Sequence, residues 1–434
     1  MKDFEFGVGV SAYQIEGSPH LYNKLPSVWD TFAHQKRKIK DGSTGDIAVD
    51  FINRYKEDIK IIKDLGADSF RLSLSWNRIM NEDDAINKVG LQLYIDIIDE
   101  IINNGLKPVI TLFHWDLPQY LQDMGGWLNP ITLDKFEKYA DVVSKTFKGK
   151  CMEYHTINEP QCFINVGYRK GEHAPGKKYN LKKILHISHN VLLGHAKAYY
   201  AIKRNDKKAL ASIVSCGSVS LPVNEEPSNI EIARKHYFSL SYFNTYKVAL
   251  FLDPIFLGDY PKEYYKLYKH KIDFIKDGDM DYIKGTSDIC YQNIYAGVYV
   301  GKGHRKIKFD NGDLPWLHIT PKCLYYGPKF LYERYHKPII ISENGLSTTD
   351  VLEDNKVHDV KRVKFINDYV QCLMDAKNDG VDVRGYYYWS IFDNFEWGEG
   401  YTSRFGLLYI NYQTQERIKK DSFFAYKDLI KKYK

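Results

Sequence analysis

Three times in the first third of the chain, a segment with apolar residues on one helical face ends at a glycine and is followed by a strand-like segment. The first helix-like segment, "RYKEDIKIIKDLG", has apolar residues at 55, 59, 62 and 65 and ends at Gly66. This spacing predicts an amphipathic helix with a glycine C-cap. The strand-like segment "ADSFRLSLSW" comes next, and the arrangement recurs in "LQLYIDIIDEIINNG" with "KPVITLFHW" and in "DKFEKYADVVSKTFKG" with "CMEYHTINEP".

The repeat predicts a barrel of alternating strands and helices. Gly66, Gly105 and Gly149 are spaced by 39 and 44 residues, the size of a strand–helix unit with a long loop. Adding "FEFGVGVS" at the start and the candidate strands 209–216, 287–292, 337–342 and 384–390 gives eight strands. We predict an α/β fold, a (β/α)8 TIM barrel with long βα loops, as a single domain over residues 1–434. A doubly wound open sheet is the alternative, but the chain has no GxGxxG or Walker motif after a first strand.

Composition and charge exclude several classes of partner. The net charge of +6 is spread over 434 residues without a dense basic stripe, so we expect no nucleic-acid partner. No run approaches the length of a membrane span, and the N-terminus lacks the apolar stretch of a signal peptide. The six cysteines have no CxxC spacing, which is typical of a reducing compartment. We therefore expect a cytoplasmic protein, and the sequence leaves its oligomeric state open.

Polar and aromatic residues stand at the predicted carboxyl ends of the strands, where a barrel places its active site. They are Arg71, Trp76, His114–Asp116, Asn158–Glu159, Glu343–Asn344 and Trp389. Aromatic faces combined with hydrogen-bonding groups suit a sugar, whose ring has apolar faces and hydroxyl edges.

Glu159 and Glu343 follow strand-like segments 184 residues apart, in "TINEP" and "ISENG". In a barrel, strands four and seven partly face each other across the same mouth. Two carboxylates about 5 Å apart support retaining glycoside hydrolysis, in which one attacks and the other transfers a proton. On this pattern alone, two unrelated loop glutamates remain an equal alternative.

The chain resembles glycoside hydrolase family 1, the β-glucosidase family, over essentially its whole length. Six blocks match the motifs of that family in order: "SAYQIEG", "YKEDI…LGADSFRLSLSW", "FHWDLPQ…GGW", "TINEP", "ISENG" and "WSIFDNFEWGEGYTSRFG". The resemblance implies the same (β/α)8 barrel and a retaining β-glycosidase, foremost a β-glucosidase, with β-galactosidase or β-fucosidase activity also open. Its substrate would be a small-molecule β-glycoside or an oligosaccharide.

The resemblance also assigns roles to individual residues. It implies that Glu159 is the acid/base and Glu343 the nucleophile, with Arg71, Asn293 and Tyr295 beside them. Asn158 would bind the sugar 2-hydroxyl, and Trp316 would contact the leaving group. The remaining sugar contacts would come from Gln14, His114, Trp115, Trp389, Glu396 and Trp397.

No cofactor and no metal site is expected. His186 and His189 have an i, i+3 spacing that a metal could use, but neither a carboxylate that would serve as a third ligand nor an HExxH motif accompanies them. Tyr291, Tyr154 and Lys322 depart from the family pattern, and we expect them to alter the shape of the pocket or its leaving-group side.

Two other functions remain as alternatives. A 6-phospho-β-glycosidase would carry Lys and Tyr where "TSRFG" has Ser403 and Phe405, and Glu396 would repel a phosphate. A non-catalytic sugar-binding barrel would lack one of the two glutamates. The sequence does not separate hydrolysis from transfer of the sugar to another acceptor.

Overall fold

Eight parallel strands close into a barrel in the computed structural model, which describes residues 4–302 and 309–434. The barrel strands, numbered in chain order, are β1 (Glu5–Gly9), β2 (Ser69–Ser73), β3 (Lys107–Phe113), β4 (Glu153–Asn158), β5 (Leu210–Cys216), β6 (Cys290–Asn293), β7 (Ile339–Asn344) and β8 (Val383–Trp389). Each strand pairs with its neighbours in sequence, and β8 closes on β1. All eight predicted strands are therefore confirmed, as is the (β/α)8 fold.

Helices surround the barrel. The longer ones are Phe51–Leu65, Lys88–Asn103, Pro130–Thr146, Leu181–Asn205, Pro227–Phe238, Cys323–Tyr335, Val360–Asn378 and Asp421–Tyr433. Shorter helical segments are Ala12–Ile15, Leu21–Asn23, Val28–Ala33, Trp76–Ile79, Gln119–Asp123, Gly126–Leu128, Pro160–Cys162, Phe163–Lys170, Ala249–Phe256, Lys262–Tyr268, Asp279–Ile283 and Trp397–Glu399. Two small sheets pair Val219–Pro222 with Gly297–Val300 and Leu408–Ile410 with Arg417–Lys419.

The first helices begin earlier than their apolar spacing predicts. Helix Phe51–Leu65 buries Ile59, Ile62 and Leu65 as expected, and it ends where Gly66 adopts φ 84°. This left-handed conformation is easily reached only by glycine. The second helix begins three residues before the predicted segment, because the Asn87 side chain caps it by accepting from the Gly90 amide. Polar caps of this kind do not contribute to an apolar repeat.

The barrel interior has two layers of different character. An apolar layer is formed by Val109, Val214, Ile289, Tyr291, Ile340 and Tyr387. Towards the carboxyl ends of the strands the interior becomes polar, with Arg71, His155, Asn158 and Asn293 all buried. The carboxyl ends of the strands thus present polar groups on a rigid support. None of the helices that the structure describes is long and apolar enough to cross a bilayer.

Candidate active site

A cleft of about 490 Å³ opens at the carboxyl ends of the barrel strands. It is lined by ten of the thirteen predicted site residues: His114, Trp115, Glu159, Asn293, Tyr295, Trp316, Glu343, Trp389, Glu396 and Trp397. The other three, Gln14, Arg71 and Asn158, are fully buried and hydrogen-bond to members of that set. The fold thus brings all thirteen predicted residues to one place.

Glu343 lies at the end of β7 and is held by two donors. Arg71 Nη1 lies 2.5 Å from Glu343 Oε1, and the Tyr295 hydroxyl donates to Oε2 at 2.8 Å. Both the carboxylate and the guanidinium are buried. A buried carboxylate with a charged donor on one oxygen and a hydroxyl on the other is stabilised as an anion and fixed in orientation.

Arg71 organises the floor of the cleft. Besides Glu343, its Nη2 donates to Asn158 Oδ1 at 2.7 Å and its Nη1 to the Ser342 carbonyl at 3.1 Å. Because Asn158 Oδ1 faces a permanent donor, its Nδ2 must point the other way, where it donates to His114 Nε2 at 3.0 Å. One guanidinium thereby fixes Glu343 and the amide of Asn158 together.

Glu159 leaves β4 through a left-handed backbone, with φ 48° and ψ 64°. Its amide donates to the Val214 carbonyl of the neighbouring strand, and Pro160 starts the helical turn that follows. A non-glycine residue in this region is strained and is held there by its surroundings. This geometry places the carboxyl group in the cleft, where Asn293 Nδ2 donates to Oε1 at 2.8 Å.

Glu159 and Glu343 meet different environments. No cation among the residues that the structure describes contacts Glu159 directly, and burial together with the nearby charge of Glu343 raises the pKa of Glu159 to about 8. It is therefore mostly protonated at neutral pH, next to a carboxylate that Arg71 holds charged. Two carboxyl groups in opposite protonation states at one cleft form the arrangement that acid/base and nucleophilic roles require.

His114 is neutral and has one nitrogen to spare. Burial, with a contribution from the charge of Arg71, lowers its pKa well below the ordinary value. Since Nε2 accepts from Asn158, the ring proton is on Nδ1, which has no hydrogen-bond partner among the residues that the structure describes. A buried donor without a hydrogen-bond partner lowers the stability of a folded protein. A hydroxyl group of a bound ligand would supply the missing acceptor.

Glu396 lies on the loop after β8, beside Gln14. Gln14 Nε2 lies 3.4 Å from Glu396 Oε2 and donates to the Phe395 carbonyl at 2.9 Å. Burial first, and then the charges of Glu343 and Glu159, raise the pKa of Glu396 to about 8. A carboxyl group near its pKa can both donate to and accept from sugar hydroxyls.

Aromatic rings form the walls of the cleft. Trp389 stacks on His114 with ring centroids 5.6 Å apart, and Trp115 packs against Trp397 at 4.6 Å. The Trp115 Nε1 donates to the Asn158 carbonyl, so this indole also supports the backbone next to Glu159. Trp316 stands at the mouth, is 51% exposed and meets the edge of Tyr295. The contact of Trp316 with a leaving group stays a prediction.

Three expectations about sequence departures are corrected. Tyr291 does not shape the cleft; its ring lies inside the barrel and its hydroxyl donates to Glu153 at 2.6 Å. Tyr154, which follows Glu153 in the sequence, packs in the core outside the barrel. Lys322 is exposed and pairs with Glu225, away from the residues that line the cleft.

Other cleft residues were missed by sequence reasoning. Cys162, Cys216 and Tyr246 lie beside Glu159, and Lys170, Glu172 and His173 line the outer part. Most of them are in or next to βα loops, where no periodic pattern points to a site. Two of them could have been found, because Cys162 follows Glu159 by three residues and Cys216 ends the predicted strand 209–216.

The two histidines with metal-like spacing have other partners. His186 stacks on Phe274, and His189 hydrogen-bonds to Tyr260 and Asp279. Across residues 4–302 and 309–434, no group of three or more His, Cys, Asp or Glu side chains is arranged to hold a metal ion. All six cysteines are unpaired.

Comparison with known proteins identifies relatives along the whole chain. The family model "Glycosyl hydrolase family 1" matches residues 1–434. "Beta-glucosidase A" of Acetivibrio thermocellus is 39% identical, with 99% of this chain and 98% of the relative covered. A "Bifunctional beta-D-glucosidase/beta-D-fucosidase" of Bifidobacterium breve is 34% identical, with 99% and 97% covered.

Solved structures give the same result. The β-glucosidase from Thermotoga maritima in complex with deoxynojirimycin superposes with a TM-score of 0.91 at 35% identity, covering 99% of this chain and 98% of its own. A β-glucosidase from Exiguobacterium antarcticum has a TM-score of 0.91 at 32% identity, covering 100% and 98%. Together with the barrel and its paired carboxyl groups, these matches show that the chain belongs to glycosyl hydrolase family 1 and is a glycoside hydrolase.

Proposed function

We propose that this enzyme is a β-glucosidase that removes terminal β-D-glucosyl residues with retention of configuration, using Glu343 as nucleophile and Glu159 as acid/base. The observation that carries the proposal is the contrast between the two carboxyl groups. Arg71 and Tyr295 fix Glu343, whereas burial raises the pKa of Glu159 to about 8. Such a pair supplies an anion for attack and a proton for the leaving group at neutral pH.

In the first step, a Glu343 oxygen attacks the anomeric carbon while Glu159 gives its proton to the glycosidic oxygen. The bond from the anomeric carbon to the leaving group breaks as the carbon–carboxylate bond forms, and the alcohol departs neutral. Asn293, which donates to Glu159 Oε1, orients the acid. The Tyr295 hydroxyl and Arg71 keep Glu343 aimed as its charge is consumed.

In the second step, Glu159 acts as a base. It is now a carboxylate and takes a proton from a water molecule, whose oxygen attacks the anomeric carbon and releases Glu343. Two inversions give net retention, and each carboxyl group returns to its starting state. An acceptor alcohol in place of water would give transfer by the same route.

The sugar would be bound by the surrounding polar groups. We assign Asn158 to the 2-hydroxyl, since its Nδ2 has one hydrogen left after bonding His114. The free Nδ1–H of His114, together with Gln14 and Glu396, would bind other hydroxyls, and Trp389 and Trp397 would pack against the ring. The relatives named as β-glucosidases and as a bifunctional β-D-glucosidase/β-D-fucosidase support glucose first and fucose second. Because these residues run from Gln14 to Glu396, we propose that residues 1–434 act as one catalytic domain.

Trapping the intermediate tests this proposal. A 2-deoxy-2-fluoro β-glucoside with an activated leaving group should inactivate the wild-type enzyme and add one sugar to Glu343, detected by peptide mass spectrometry. The Glu343→Gln variant should neither hydrolyse an aryl β-glucoside nor become labelled. Labelling at another carboxylate, or equal hydrolysis by the variant, would refute the assignment. An aryl 6-phospho-β-glucoside serves as the specificity control and should be a poor substrate, because Phe405 lines the cleft and Ser403 is buried where a phosphate reader needs Lys and Tyr.

A further inference from the structure

His155 lies inside the barrel, directly behind Arg71. It is in the middle of β4, is fully buried, and its Nδ1 lies 3.0 Å from Arg71 Nε. The pairing of β4 with β5 shifts register between His155 and Asn158. Both side chains contact the same guanidinium, and this shift lets them face the same interior although they are three residues apart.

The bond from Arg71 fixes the state of the imidazole. Arginine Nε can only donate, so His155 Nδ1 accepts and the ring proton is on Nε2. Burial, followed by the charge of Arg71, lowers the pKa of His155 well below its ordinary value, in agreement with a neutral ring. The charged and titratable groups that face it are Arg71, Glu153, Lys107, Tyr291 and His114.

The other side of the imidazole ring faces residues nearer the N-terminal end of the barrel. The Tyr291 ring lies against the imidazole with centroids 4.2 Å apart, and its hydroxyl donates to Glu153 Oε1. His155 Nε2 is 3.9 Å from that same oxygen and has no hydrogen-bond partner among the described residues. Lys107 forms an ion pair with Glu153, and its Nζ also lies 2.9 Å from Glu5 Oε2. Polar groups therefore extend from the N-terminal end of the barrel to Arg71, joined by hydrogen bonds or ion pairs except across the 3.9 Å between His155 Nε2 and Glu153 Oε1.

The Nε position matters for the geometry of the cleft. Both terminal nitrogens of Arg71 face the carboxyl ends of the strands, where they bind Glu343, Ser342 and Asn158. Nε–H lies on the side edge that it shares with Nη2, and its hydrogen-bond partners among the described residues are His155 at 3.0 Å and Thr111 at 3.3 Å. His155 is the nearer of these two partners and is thus the main restraint on the Nε end of the guanidinium, which limits tilt of its plane.

We infer that His155 is a positioning residue of the reaction: its neutral imidazole, braced by Tyr291 and Glu153, fixes the plane of Arg71 and so aligns Glu343 for attack. This inference rests on the proposed function of Glu343. If His155 is removed, Arg71 tilts, its bond to Glu343 lengthens, and the anion is less well stabilised. The losses appear in the rate of the first chemical step and in the acidic limb of its pH profile.

The test compares His155→Leu, His155→Asn and His155→Gln with the wild type. The measurement is the pH profile of kcat/KM for an aryl β-glucoside with an activated leaving group, which needs little help from Glu159. We expect His155→Leu to lower kcat/KM by about 10- to 100-fold, as removal of residues that orient a functional group does elsewhere, and to move the acidic limb to higher pH. Asn should recover most of the loss, because its Oδ1 can occupy the Nδ1 position, and Gln should recover less.

His195→Leu is the matched control. His195 is also a fully buried histidine next to β4, but it contacts Thr156 and Thr286 outside the barrel. Its loss should lower stability and leave the acidic limb where it is. An unmoved acidic limb in His155→Leu, or equal recovery by Asn and Gln, would overturn the inference. If the Leu variant does not fold, the comparison of Asn with Gln decides alone.

The two proposals fail in different ways. A wild-type enzyme that does not hydrolyse aryl β-glucosides, or that is not labelled at Glu343, contradicts the proposed function. An active, Glu343-labelled enzyme whose His155→Leu variant retains the wild-type pH profile contradicts only the positioning role.

Discussion

The proton affinity of Glu159 should depend on the charge of Glu343. In the wild type, burial is the largest cause that raises the pKa of Glu159 to about 8, and the charge of Glu343 is the second. Glu343→Gln removes that charge and leaves the burial unchanged. We therefore expect the pKa of Glu159 to fall in the variant but to stay above the ordinary value for glutamate.

The size of the effect follows from Coulomb's law. For two carboxylates about 5 Å apart, as retaining glycosidases have them, and an effective dielectric constant of about 20, the repulsion is about 3 kcal/mol. That energy corresponds to proton binding weaker by on the order of 100-fold once the charge is gone. Glu159 is protonated and can act as the acid below about pH 8, where its pKa lies. Hydrolysis that needs this proton is therefore lost as the pH rises through that value.

Nuclear magnetic resonance of enzyme labelled with ¹³C at the glutamate carboxyl carbon measures this titration. The Glu159 signal is assigned from its loss in Glu159→Gln. Glu172→Gln is the matched control, since Glu172 also lines the cleft but is 64% exposed, and solvent screens its charge. The reasoning is refuted if Glu159 titrates identically in the wild type and in Glu343→Gln, or if the Glu172 control shifts it as much.

Three further predictions concern single substitutions. Glu159→Ala should lose about 10²- to 10⁴-fold in kcat/KM on unactivated β-glucosides and much less in the first step on dinitrophenyl glucosides, with azide restoring turnover as the β-glucosyl azide; equal losses on both substrates would show that Glu159 is not the acid. Glu396→Ala should lower kcat/KM for aryl β-glucosides by about 10- to 100-fold, the worth of one or two hydrogen bonds, and a panel of deoxy-glucosides should identify the hydroxyl involved; an unchanged value would remove Glu396 from the sugar site. Arg362→Met should lower the free energy of unfolding by about 3–5 kcal/mol, because it removes the cation that pairs with the buried carboxylates of Asp350 and Asp359. An unchanged urea midpoint would contradict the importance of these buried ion pairs. Arg362→Lys, which keeps the charge, is the milder control.

Much of the fold follows from local pattern. Several barrel strands, such as β3 and β7, are largely apolar, and three of the predicted strands follow a helix that ends at a glycine, so the eight windows could be predicted without the tertiary structure. Helix starts were placed less well, because Asp50 and Asn87 lie at helix N-termini outside the apolar repeat.

The inner part of the site was predictable for a related reason. Asn158 and Glu343 stand at strand ends and Arg71 lies two residues before the end of β2, and the barrel forces these ends together. The outer part of the cleft was not, since Tyr246 and Lys170 reach it from loops whose course depends on tertiary packing.

The interior partners of the site needed the three-dimensional structure. His155 and Tyr291 look like ordinary strand residues in the sequence and are 136 positions apart. Only barrel closure places their rings 4.2 Å apart behind Arg71. Tyr291, expected to change the shape of the pocket, instead contributes to its support from below.

The stereochemistry of hydrolysis tests the central claim most directly. If Glu343 attacks and Glu159 then activates water, the first sugar released from an aryl β-glucoside is the β-anomer. A proton nuclear magnetic resonance time course at high enzyme concentration records the anomeric proton before mutarotation. The account predicts that the β-glucose signal appears first and the α signal follows slowly. α-Glucose as the first product would contradict the assignment of two catalytic glutamates.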